Sequence, residues 1–79
     1  MREHDRAALA RFAANLRNER QRQDLSQEAL AAAAGLHRTE IGLLERARRE
    51  PRLSTIVTLA HALEIPARQL VAGIEGDDA

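Results

Sequence analysis

The sequence predicts an all-α fold, and three observations point there. Strong helix formers dominate, with 16 alanines, 11 leucines and 12 arginines among 79 residues, while β-branched residues are few. The large apolar residues recur at spacings of three and four, the period of one helix face. Gly35, Pro51 and Pro66 fall between the periodic segments, where they stop or start helices.

Residues 1–8 are charged and expected to form a flexible N-terminal segment. From Leu9 the series Leu9, Phe12, Ala13 and Leu16 follows one helix face, with Arg11, Arg17, Arg20 and Arg22 on its polar side. This helix should stop near Gln23–Asp24. Ser26 opens a second helix as N-cap, because its hydroxyl can accept an orphan backbone N–H. Leu25 and Leu30 match a hydrophobic staple, and Glu28 suits the positive helix end. Gly35 ends this helix as a left-handed C′ residue.

His37-Arg38-Thr39-Glu40 leads into a third helix running to about Arg46. Ile41 and Leu44 can share its buried face, leaving Arg38, Thr39, Gly42 and Leu43 mostly on another side. Arg46, Arg48, Arg49 and Arg52 fill the connection that Pro51 closes. Leu53, Ile56, Val57, Ala60 and Leu63 form a fourth amphipathic helix; the stripe Leu53, Ile56, Val57 and Leu63 is read first as core, and second as partly exposed and sealing a dimer together with Leu70, Val71 and Ile74. Pro66 suits the first turn of a fifth, carrying Leu70, Val71 and Ile74. Residues 75–79 form an acidic tail ending Asp77-Asp78-Ala79. The expected organisation is one domain over 9–74, with a helix-turn-helix unit over 26–46.

Composition narrows the function. The chain has no cysteine, so it can form neither a disulfide nor a thiolate metal site. The longest apolar run, Ala29–Ala34, is too short for a membrane span or signal segment. Phe12 is the single aromatic residue, which excludes base-stacking platforms. His4, His37 and His61 show no ligand spacing, so no metal is expected. No catalytic constellation, glycine-rich phosphate loop or nucleophile elbow is present, so neither an enzyme nor a cofactor is expected. Net charge is zero, but residues 17–52 hold eight arginines against six acids, and residues 53–79 one arginine against four. Any attraction for nucleic acid must come from that uneven distribution.

Two short helices joined through glycine are the helix-turn-helix arrangement, in which the second helix enters the major groove and the first anchors on the backbone. Leu25-Ser26-Gln27-Glu28-Ala29-Leu30-Ala31, Gly35-Leu36, Ile41, Leu44-Glu45, Pro51 and Leu59-Ala60-His61-Ala62-Leu63 together resemble the Cro/repressor-like family of phage repressors and bacterial regulators. The resemblance covers roughly Phe12 to Val71. The chain length is also similar to that of restriction–modification controller proteins.

The resemblance implies a five-helix lambda-repressor-like domain with DNA read by helix 3. It places Gln27, Arg38, Thr39 and Leu43 at base-reading positions and Arg46 at a phosphate. It also implies an Arg20–Glu45 ion pair. Arg38 suits guanine O6/N7, Leu43 a thymine methyl, and Glu40 either accepts from cytosine N4 or repels phosphate. Thr39 can serve a base, a phosphate or a local cap. Arg17, Ser26, His37, Arg48 and Arg49 join Arg46 as phosphate candidates, with solvated surface as the plainer reading for the arginines. Two departures from the family pattern stand out. Glu45-Arg46-Ala47 replaces Glu-Asn-Gly, and Glu64 replaces a glycine, so the turn at Ala47 is expected to be reshaped or strained.

The expected function is therefore a bacterial, cytoplasmic, sequence-specific regulator of transcription. It would bind double-stranded DNA at a palindromic operator as a homodimer, with Leu70, Val71 and Ile74 at the dimer interface. No membrane association and no small-molecule effector domain are expected. The alternative is an antitoxin-like or other protein-interaction module, kept open by the neutral charge and by Asp77-Asp78.

Overall fold

The first helix begins well before Leu9. In the computed structural model, which describes residues 1–75, α1 spans Glu3–Arg22. The segment expected to be flexible thus contributes its first turns. Asp5 accepts the Arg2 backbone N–H at 3.3 Å, and Glu3 and Asp5 place negative charge at the positive helix end. At 20 residues α1 is about 30 Å long. After it come α2 (Gln27–Ala34), α3 (Arg38–Glu45) and α4 (Leu53–Leu63). The acidic tail from residue 76 onward, Asp77 and Asp78 included, lies outside the described residues.

The described residues form four α-helices; the fifth expected helix is a single 3-10 turn, Ala67–Gln69. Its bonds reach back three residues: Gln69 to Pro66, Leu70 to Ala67 and Val71 to Arg68. Two features mark its end. The Asn15 amide donates to the carbonyls of Leu70 at 3.0 Å and Ala72 at 2.9 Å, and Gly73 then turns away at φ 81°. These bonds tie the end of the turn to α1.

Around α1, the helices close on a core of Phe12, Leu16, Leu30, Ile41, Leu44, Leu59, Leu63 and Leu70. α2 packs against α3 and α4, α1 against α3, and α4 against the 3-10 turn. Leu70 is fully buried within this one chain, which removes it from any dimer surface. In α4 the core line runs Ile56, Leu59, Ala60, Leu63. Leu53 and Val57, in the stripe read first as core, are 78% and 53% exposed, so part of that stripe follows its second reading and stays uncovered. Leu59 widens the apolar face of α4, and contact with α2 and the 3-10 turn selects the half centred on Leu59 and Leu63.

All four helices end in the same reversal. The N–H groups of Leu25, Leu36, Arg48 and Ile65 donate five residues back to the carbonyls of Arg20, Ala31, Leu43 and Ala60, at 3.1, 2.9, 2.9 and 3.0 Å. Asp24, Gly35, Ala47 and Glu64 make the turn with φ of 58°, 68°, 56° and 56°. At Gly35 an added Cβ would meet nothing within 4 Å, so glycine is needed there for conformation, not for space. Ala47 and Glu64 keep the left-handed turn and carry its steric cost. Ala47→Gly and Glu64→Gly should each stabilise the fold by about 1 kcal/mol, read as a higher urea midpoint at unchanged m.

Candidate nucleic-acid interface

The helix-turn-helix unit is assembled from short-range caps and one buried charge network. Ser26 Oγ accepts the Ala29 N–H at 2.9 Å, capping α2 as its sequence position predicts. His37 caps α3, its Nδ1 accepting the Thr39 N–H at 3.1 Å; this needs Nδ1 unprotonated. α3 then presents its two sides differently. Ile41, Leu44 and Glu45 are buried. Arg38 and Thr39 are exposed, as is Arg46 at the C-cap, and Leu43 is half-buried. At about 100° per residue, Thr39, Gly42, Leu43 and Arg46 share one outward face. Gly42 is buried because the Arg46 guanidinium lies over it: a Cβ there would be 3.2 Å from the Arg46 Nη1.

Glu45 ties α3 to the rest of the unit. Its carboxylate is 4% exposed and receives Arg20 in a fork, Nε to Oε2 at 2.6 Å and Nη2 to Oε1 at 2.9 Å. The Gln27 amide donates to the same Oε1 at 3.1 Å. Arg20 also reaches the Leu25 carbonyl at 2.8 Å, and Arg17 the Glu45 carbonyl at 3.1 Å. The hydrogen bond to Glu45 raises the Arg20 pKa above its ordinary value, against the opposing effect of burial and with help from the carboxylate charge. Its contribution to stability is in place below the guanidinium range and would be lost only as pH rises above it. Among the described residues no buried side-chain nitrogen or oxygen lacks a hydrogen-bond partner.

The structure thus brings Arg20 and Glu45 together and adds Gln27 and Arg17 to them. For Gln27 and Arg17 the sequence had suggested only outward roles. Glu40 is also engaged: its Oε1 lies 2.5 Å from Nη1 of Arg49. Sequence reasoning missed this contact because the partners are nine residues apart, across the reversal at Ala47. That reversal has its own peculiarity. In three of the four helix ends the residue donating the long closing bond is apolar and packs against the core, Leu25, Leu36 and Ile65. The fourth is Arg48, exposed. An apolar clasp is replaced by a cation beside the outward helix.

Residues 16–70 match the family described as Helix-turn-helix. The chain is 48% identical over 60 residues to control protein C.SmaI of Serratia marcescens, covering 76% of this chain and 71% of that protein. Two solved structures superpose well. The restriction–modification controller protein C.AhdI from Aeromonas hydrophila has a TM-score of 0.79 at 44% identity, covering 81% of this chain and 97% of that one. The hypothetical transcription factor NHTF from Neisseria has a TM-score of 0.78 at 41% identity, covering 81% and 74%. The controller protein C.Esp1396I, at 24% identity, shares the fold with a TM-score of 0.76 over 90% of this chain and 96% of its own.

Proposed function

This chain belongs to the helix-turn-helix family of DNA-binding transcriptional regulators, which are not enzymes, and from that premise we propose that it is a controller-type regulator acting on a palindromic operator as a homodimer. α3 enters the major groove. Arg38, Thr39 and Leu43 read bases, and Arg46 and Arg48 hold phosphates together with the α2 N-terminus at Ser26 and Gln27. Working on bacterial DNA places it in the cytoplasm. Among the described residues no helix is long and apolar enough to cross a membrane.

The observation that carries this reading is the two-sidedness of α3. One side is locked to α1 and α2 by the Glu45 network; the other offers exposed cations and a hydroxyl with no core function. What supports a dimer is apolar surface left uncovered on α4 and after the 3-10 turn. Leu53 is 78%, Val57 53% and Val71 38% exposed. Val71 and Ile74 also line an open groove of about 470 Å³ with Leu9, Phe12 and Ile56. A dimer reading two successive major grooves needs its two copies of α3 about 34 Å apart, one turn of duplex.

Selection of bound sequences from a random duplex pool tests binding, symmetry and spacing together. Two inverted half-sites one helical turn apart are expected, with a dimer by sedimentation. A pool that stays random, or a strict monomer on DNA, would refute the reading. Within it, Arg48→Ala should weaken cognate and scrambled DNA alike and lower the slope of log affinity against log salt by about one. An unchanged slope removes Arg48 from the phosphate contacts.

A further inference from the structure

The outward helix carries one acid, and the chain already supplies its counter-charge. Glu40 sits in the first turn of α3 with its side chain 23% exposed, and Arg49, 51% exposed, closes on Oε1 at 2.5 Å. Glu40 borders Leu43 at the edge of the outward face. Its Oε2 has no hydrogen bond from any described residue. An unpaired carboxylate here would face a wall of phosphates and oppose every DNA sequence equally. A paired one adds no net charge, and the contact with Arg49 restricts its rotamers, so less freedom is lost when it meets a base.

We propose that Glu40 and Arg49 work as one specificity unit. Arg49 is a positioning residue that neutralises Glu40 and holds its carboxylate at the edge of α3, leaving Oε2 to accept a hydrogen bond from a cytosine N4 amino group in the major groove. Arg49 is then not an independent phosphate ligand, although it lies in the basic connection with Arg46, Arg48 and Arg52. This inference rests on α3 entering the major groove, as proposed above.

The test uses the full chain, the operator recovered from the random pool, and that operator altered at each base pair in turn. Glu40→Ala and Arg49→Ala should flatten the preference at the same base pair, a C·G pair, each by about tenfold. The double variant should lose no more discrimination than either single one, and Arg49→Lys should restore part of it. Melting temperatures should stay near wild type, because an exposed pair contributes little to stability. A purely structural pair would shift melting without moving base preference, and that result would overturn the proposal. Uniform weakening of all sequences by Arg49→Ala, with the C·G preference intact, would make Arg49 a phosphate contact and also end it. So would uniform tightening by Glu40→Ala, which would make Glu40 a repulsive charge only. A wild-type protein that selects no sequence would sink the operator reading itself. Wild-type selection with independent, additive effects of the two variants would sink the pair alone.

Discussion

Arg20→Ala should lower the unfolding free energy by about 3–5 kcal/mol, a loss expected when one partner of a buried pair is removed. Glu45, 4% exposed in the intact fold, would keep only the Gln27 amide of its three side-chain hydrogen bonds. A small domain holds only about 5–15 kcal/mol in total, so a large part of the fold's margin would go. Urea unfolding followed by circular dichroism measures it as a fall in the midpoint at constant m. A double replacement, Arg20→Met with Glu45→Met, should recover much of the loss, because the charges would be absent instead of orphaned. Its DNA binding should still suffer, since Gln27 would lose the acceptor that orients its amide and α3 its tie to α1. A midpoint for Arg20→Ala within about 0.5 kcal/mol of wild type, the range of an ordinary surface change, would show that the network is too hydrated to matter.

Arg38→Ala should cost about 1–3 kcal/mol of operator binding and relax the preference at one base pair, with little effect on folding. Arg38 is the first residue of α3, exposed, and held by no hydrogen bond or ion pair within the described residues. Its guanidinium is therefore free to meet a guanine edge with both N–H groups. The contrast with Arg48→Ala is diagnostic: there the loss should be shared by all sequences, here it should be concentrated on one position. Equilibrium titration on the operator and its single-base variants separates the two. If Arg38→Ala bound cognate and scrambled duplexes as wild type does, the base-reading role would belong elsewhere on α3.

Much of the helix-turn-helix unit was legible from local chemistry. Ser26 caps α2 and Gly35 ends it because a hydroxyl and a missing Cβ act on neighbouring backbone alone. The Arg20–Glu45 pair came from the family resemblance, not from spacing, and the geometry bears it out. The α1 start was misplaced because a charged, unpatterned N-terminus gives no periodic signal, although Asp5 satisfies the Arg2 N–H just as a capping residue should. The α4 stripe was ambiguous for the opposite reason. Its apolar face is wide enough to offer two overlapping lines at helical spacing, and periodicity alone does not choose between them.

Helix identity, the stops at Gln23–Asp24 and Gly35, and the outward placing of Arg38 and Thr39 were settled by interactions among residues a few positions apart, which the chain order contains. The burial of Leu70, the choice of which part of the α4 stripe is covered, the docking of the last turn on Asn15, and the meeting of Glu40 with Arg49 were settled only when distant segments packed. Each depends on how far apart and at what angle two helices lie, and that arrangement is a compromise of the whole core which no local pattern encodes.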